Sequence, residues 1–168
     1  FGGLWETPPI LSVVLARPGA PKGIAPDLAA GMGEVLGVRI KWLNMPWPAQ
    51  LPGLQAGNVD VLFGQISDTA ERERSVADLI PFQRRGYGLL TAAGNPRQLA
   101  KLTDLCGVTI AVPIGSVNGA VLRNLSATQC APAGKAAIVQ REFNGGAAMV
   151  QALRAGSVDA VFDSAPNL

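Results

Sequence analysis

Gly64-Gln65-Ile66-Ser67-Asp68-Thr69-Ala70-Glu71-Arg72 gathers residue types that can hold an anion: a glycine, two hydroxyls, main-chain N–H groups and a guanidinium. Asp68 or Thr69 is the expected N-cap of a helix with Glu71 in its first turn. Uncapped N–H groups and the positive end of the helix dipole favour a carboxylate there. Arg72 adds a rigid fork of donors that matches a carboxylate at two points. Taken alone, the same residues also describe an ordinary capped helix with a solvated arginine.

The run ahead of this loop, Val59-Asp60-Val61-Leu62-Phe63, is an expected buried strand that ends at Gly64. Polar groups therefore collect at the carboxyl end of a strand, where open α/β sheets bind their ligands. The chain repeats the device. Leu54-Gln55-Ala56-Gly57-Asn58-Val59-Asp60-Val61-Leu62-Phe63 is echoed by Leu153-Arg154-Ala155-Gly156-Ser157-Val158-Asp159-Ala160-Val161-Phe162. Each reads as a helix end, a glycine C-cap and a buried strand. The second strand delivers Asp163 and Ser164. Two such units predict two lobes facing one cleft, with a cation on one wall and a carboxylate on the other, which fits a zwitterion.

Composition narrows the class. A net charge of +2 with scattered basic residues gives no reason to expect nucleic acid or an acidic membrane surface as partner. Charged residues are sparse and apolar residues plentiful, as in a packed α/β protein rather than a disordered one. No apolar run is long enough to span a bilayer. The chain is expected to be soluble, with any signal peptide removed. It has no histidine and only two cysteines, Cys106 and Cys130, which argues against zinc and leaves two buried thiols or a disulfide.

Along the chain, residues 1–10 read as peripheral, with Leu4 and Trp5 able to pack against the lobe. Residues 11–16 read as a first strand, followed by a short loop with solvated Arg17 and Lys22. Pro26 and Asp27 open a helix whose expected buried face is Leu28, Met32, Val35 and Leu36, closed by Gly37. Residues 38–43 alternate as a second strand. Trp47 follows in a Pro-Trp-Pro loop, placed either to pack beside a ligand or to close the lobe. After the helix carrying Arg72, residues 87–91 lead towards a turn at Asn95-Pro96. The second half reads as a helix at 99–105, a strand at 108–112 and a helix at 117–125. A strand at 137–140, polar punctuation at Glu142-Phe143-Asn144 and a helix with Ala148, Met149, Ala152 and Leu153 inward complete it. Gly115-Ser116 before the helix at 117–125 is a second anion cradle or an ordinary cap.

Several of these pieces occur in a recognisable order. Pro46-Trp47-Pro48-Ala49-Gln50-Leu51-Pro52-Gly53-Leu54, Ala56-Gly57 with Asp60, and Thr69 with Glu71-Arg72 come first. Asp104-Leu105-Cys106-Gly107-Val108-Thr109-Ile110-Ala111-Val112, Gly115-Ser116, Cys130 with Gly134-Lys135, and the stretch to Ser164 follow. The set resembles the periplasmic amino-acid-binding proteins of ABC importers, solute-binding protein family 3. The resemblance implies an α/β, two-lobed periplasmic-binding-protein-like fold of type II, with lobes at 1–90 and 91–168. Relatives continue past the last residue here, so the second lobe and the return segment are expected to be incomplete.

By the same resemblance the chain captures an amino acid or a related zwitterion without catalysis or cofactor, as a periplasmic monomer that docks on an inner-membrane ABC permease. Arg72 and Ser67, with Gly64, Gln65 and Trp47 around them, would take the carboxylate side, helped by Gly115 and Ser116. Asp163 would accept the ammonium. The resemblance also implies a Cys106–Cys130 bridge and hence an oxidising compartment. It departs from the family in a short first loop without an aromatic residue and in Val117, where a hydroxyl is usual. A sensing module of a larger receptor or lytic enzyme, and a dehydratase of the same fold, are the alternatives; the second needs an acid or base for which only Glu142 and Asp163 are evident.

Overall fold

The structure, a computed structural model, describes residues 10–15 as backbone and residues 23–64 and 66–165 in full. The peripheral segment with Leu4 and Trp5, the loop with Arg17 and Lys22, and Gln65 lie outside these residues. The chain forms two compact units, Phe1–Pro81 and Phe82–Leu168.

In the first unit, β1 (Ile10–Leu15) is flanked by β2 (Arg39–Asn44) and β3 (Val61–Leu62) in the order β2-β1-β3, all parallel. Parallel neighbours need crossover connections, and α1 (Ile24–Leu36) and α2 (Trp47–Gln55) supply them. Gly37 ends α1 with φ at 65°, and Val38 N–H donates back to the Gly33 carbonyl at 2.9 Å, so the expected glycine stop is present.

The buried face of α1 differs from the expected one. Pro26, Ala29 and Gly33 are buried, whereas Leu28, Val35 and Leu36 are 44%, 86% and 60% exposed. The cause is how closely the helix approaches β2. A Cβ on Gly33 would lie 3.0 Å from both the Val38 carbonyl oxygen and Ile40 Cγ1, so only the small-residue side of the helix fits there. The branched side chains are turned outward. Trp47 also departs from expectation: it opens α2, with Pro48 in the first turn, rather than sitting in a loop.

In the second unit, β4 (Tyr87–Thr91), β5 (Thr109–Pro113), β6 (Val139–Phe143) and β7 (Ala160–Ser164) form a sheet in the order β4-β7-β5-β6. β5 runs parallel to β6 and β7, while β4 is the antiparallel edge. Setting β4 aside, the order β6-β5-β7 repeats β2-β1-β3. The crossovers are α4 (Asn118–Leu125) and α5 (Gly146–Arg154), numbered after the short α3 (Ala70–Ser75) of the first unit.

Both faces of β5 are covered. Ile110 and Val112 pack with Leu122, Ile138, Leu105 and Phe162 on one side, and Ala111 packs with Met149, Ala152, Leu153 and Val161 on the other. Residues 110–112 therefore read as an unbroken apolar run, as a doubly covered strand must. Each large side chain buried there contributes roughly 1.5–3 kcal/mol. The start of β7 is tied to β5 at both main-chain atoms of Thr109. Asp159 N–H donates to its carbonyl at 2.8 Å, and Asp159 Oδ2 accepts from its N–H at 2.9 Å.

Three expected elements shift. The helix expected at 99–105 is a single 3-10 turn, Leu102–Leu105, because Asp104 Oδ2 accepts from the N–H groups of Ala100 and Lys101 and caps a shorter element. β6 begins two residues later than expected and takes in Glu142 and Phe143, since parallel pairing with β5 matches Pro113 to Phe143. The helix expected to end at 125 runs on as a π turn, Ser126–Cys130, which delivers Cys130 to Cys106. Those two cysteines form the disulfide, with Cα atoms 5.5 Å apart, and it joins the entry of β5 to the exit of the α4 segment.

Three outcomes follow from these contacts. Replacing both cysteines with serine should cost about 3 kcal/mol, the loop-closure entropy of a bridge over a separation of 24 residues, read from urea unfolding with and without reductant. Gly33→Ala should lower stability by about 1–2 kcal/mol even though alanine is the better helix former by about 1 kcal/mol, because the Val38 carbonyl cannot yield to a Cβ; a stability gain in the same assay would refute the close approach. The N–H groups of Ala100 and Lys101 hold the Asp104 carboxyl below its usual 3.8. The folded state thus takes up that proton less readily than the unfolded chain. The stabilisation is complete above the ordinary carboxylate value and lost as pH falls through the lowered one. The stability difference between wild type and Asp104→Ala should therefore shrink on acidification below about 3.8.

Candidate functional site

On the first unit, the expected carboxylate residues collect at the carboxyl end of β3. Thr69, not Asp68, is the N-cap of α3: its backbone is extended and its Oγ1 accepts from Arg72 N–H at 3.3 Å. This turn sets the direction of the Arg72 side chain. Arg72 Nη1 donates to the Ser67 carbonyl oxygen at 2.9 Å, and the guanidinium carbon lies 5.8 Å from the Trp47 ring centroid, within cation–π range. Ser67 thus acts here through its main-chain oxygen rather than through the hydroxyl that the sequence suggested.

Burial lowers the Arg72 pKa and the Glu71 carboxylate opposes the shift. A guanidinium remains charged across this range, so the consequence is a partly desolvated cation, which attracts an anion more strongly than a fully hydrated one. Gly64 is half-buried at the end of β3; a Cβ there would meet Gln50 Oε1 and Ile66 Cγ1 at 3.8 Å. That is ordinary contact, so the glycine is not enforced by crowding.

Sequence reading missed Gln50. Its amide is 3% exposed, and Nε2 donates to the Met45 carbonyl at 3.0 Å. The available signal was a polar side chain three residues after Trp47, on the same face of α2.

On the second unit, Gly115 takes φ at 66° and turns the chain out of β5 towards α4. Ser116 N–H and Oγ both donate to the Pro113 carbonyl, at 3.2 and 2.7 Å. The expected cradle is thus a closed turn in this structure, with the polar hydrogens of Ser116 directed back to the strand end. α4 begins after Val117 without a side-chain cap.

Asp163 lies on β7, opposite Gly88 of β4 and half-buried. Its Oδ1 accepts from Ser164 N–H at 2.8 Å and from Asn118 Nδ2 at 3.1 Å. Asn118, 5% exposed, also donates to the Phe162 carbonyl at 3.2 Å. The strand end is further held by Tyr87, whose ring stacks on Phe162 with centroids 4.9 Å apart. Asn118 was a second omission of the sequence reading, since an asparagine opening a helix looks like a cap and not like a core residue. Among the described residues no three His, Cys, Asp or Glu side chains are grouped as metal ligands, and no helix is long and apolar enough to cross a membrane.

The first unit therefore presents an oriented cation and the second an oriented carboxylate, each at the carboxyl end of a parallel strand. Known proteins share the fold of this chain. A probable amino-acid ABC transporter periplasmic-binding protein of Sinorhizobium fredii is 31% identical over 90 residues, which are 52% of this chain and 30% of that protein. The chain thus spans under a third of that curated relative's length in the match. An ancestral arginine-binding protein superposes with a TM-score of 0.77 when bound to arginine, at 26% identity over 94% of this chain and 71% of that one. The same ancestral protein bound to glutamine gives 0.75 at 25% identity, over 92% and 69%. An ancestral amino acid-binding protein that is a precursor of cyclohexadienyl dehydratase shares the fold, with a TM-score of 0.77 at 23% identity over 94% and 71%. The type II periplasmic-binding-protein fold accounts for the paired βαβ units, and the model of the bacterial extracellular solute-binding proteins, family 3, matches residues 6–144. The chain belongs to that family.

Proposed function

We propose that this chain captures an amino acid outside the cytoplasm for uptake by an ABC transporter. The observation that carries the reading is Arg72, a half-buried guanidinium aimed by a carbonyl and an indole rather than left to solvent. In this reading Arg72 of the first unit takes the α-carboxylate, and Asp163 of the second is the acceptor for the α-ammonium. Neither charge is fully desolvated until the zwitterion supplies its opposite, because burying an uncompensated charge is costly. Contacts to both charges then favour one ligand-bound conformation over the ligand-free ensemble. That conformation is what an inner-membrane permease would recognise, with the binding protein acting as a monomer in the periplasm.

The relatives support an amino acid as the solute class, through an arginine-binding protein that holds arginine and glutamine. No observation favours the dehydratase reading. Its chemistry needs a placed acid or base, for which Glu142 and Asp163 are the candidates, and the capture reading uses Asp163 for the ammonium instead. Sensing by a fused receptor uses the same site, so both roles share the binding step.

A thermal-shift screen of the twenty amino acids tests the reading. A ligand at a hundredfold excess over its dissociation constant should add about 2.7 kcal/mol of stability and raise the melting midpoint. Arg72→Ala should abolish the shift while leaving the ligand-free protein folded, because α3 buries no side chain of its own. A folded wild type that responds to none of them would overturn amino-acid capture.

A further inference from the structure

The second unit holds two polar side chains whose relation the capture reading does not use. Asn118 sits at the first turn of α4, is almost wholly buried, and has no cap to make for its own helix. An amide buried to that degree costs free energy unless its hydrogens are placed. Both recorded donations from its Nδ2 go across to β7, to the Phe162 carbonyl at 3.2 Å and to Asp163 Oδ1 at 3.1 Å. Asn118 is therefore a bridge between the start of a helix and the carboxyl end of a strand, separated from Asp163 by 45 residues in sequence.

We infer that Asn118 is the positioning residue for Asp163: it fixes the side-chain rotamer of that carboxylate so that the group meets the α-ammonium of a bound amino acid. The inference rests on the capture reading for the identity of the ligand group but not for the positioning itself. Three donors converge on Oδ1, namely Asn118 Nδ2, Ser164 N–H at 2.8 Å and, at the limit of a hydrogen bond, Ser164 Oγ at 3.5 Å. The Ser164 donors come from the next residue and move with the strand. Asn118 reaches Asp163 from another element, α4. Two donors on one oxygen from different directions define the carboxylate plane, and hence the direction in which Oδ2 faces. β7 pairs with β5 at Ala160 and Val161 and with β4 as far as Ser164, so the contact from α4 holds the strand beyond its pairing with β5.

The test uses Asn118→Leu, which keeps the volume and removes the amide, with two readouts. Three-bond couplings about the Asp163 Cα–Cβ bond, measured by NMR on the ligand-free protein, should show one rotamer in the wild type and averaging in the variant. Titration calorimetry should then show a loss of about tenfold in affinity for L-arginine, the scale of one hydrogen bond to a charged group, and less than about twofold for 5-guanidinopentanoate, which lacks the α-ammonium. Equal losses for the two ligands, or couplings unchanged in the variant, would overturn the inference, since a purely structural role moves both affinities together. If the leucine variant does not fold, Asn118→Ser, too short to bridge, carries the same comparison. A wild type that binds neither probe counts against the ligand reading, and the couplings alone then decide the positioning.

Discussion

The doubly covered parallel strand is the constraint on which the rest depends. β5 has Ile110 and Val112 against one layer and Ala111 against the other, so no polar side chain can be placed at these three positions without losing its hydration. The same holds for Ala160, Val161 and Phe162 of β7. Polar chemistry is thereby excluded from the sheet interior and displaced to strand ends. There a loop can turn outward and main-chain groups no longer have ladder partners. Arg72, reached from the end of β3, and Asp163, at the end of β7, stand where this exclusion leaves room for charge.

A second regularity makes the two ends comparable. The exits of α2 and α5 use the same hydrogen bonds at matched positions. Gly57 N–H donates to the Leu54 carbonyl and Asn58 N–H to Gly53, as Gly156 donates to Leu153 and Ser157 to Ala152. These are paired Schellman caps, closed by glycines at φ of 71° and 68°. Each is followed by a valine, Val59 or Val158, that is buried almost completely and pins the chain as it enters the strand. The direction of departure from helix to strand is thus fixed twice in the same way.

Sequence reading recovered what depends on local chemistry. The glycine caps and the apolar run of β5 were legible because each expresses a local requirement of backbone or burial, whereas the cysteine pairing came from the family resemblance. What it missed depends on approach distance and pairing. The outward turn of Leu28, Val35 and Leu36 follows from how near Gly33 comes to Val38 and Ile40, and no helical periodicity contains that number. The start of β6 follows from its register with β5. At the site, Arg72 was legible as a cation after a cap, but its aim was not, because Trp47 and the Ser67 carbonyl reach it from elsewhere in the fold. Asn118 was invisible for the same reason: its partner lies 45 residues away.

The partners that aim the two charges share a property that matters for binding. The Ser67 carbonyl and the Trp47 indole at Arg72, and the Asn118 amide and Ser164 N–H at Asp163, carry no net charge. Groups of this kind fix a rotamer without cancelling the field of the charge they hold. The contrast within the same unit is Arg97 with Asp159, an ion pair at 2.9 Å whose carboxylate also accepts from Thr109 N–H. There two opposite charges touch directly, and the hydrogen bonds between Asp159 and Thr109 tie the start of β7 to β5. In the proposed capture of an amino acid, orientation by neutral dipoles would remove part of the conformational cost before the ligand arrives, which is the physical meaning of a preorganised site.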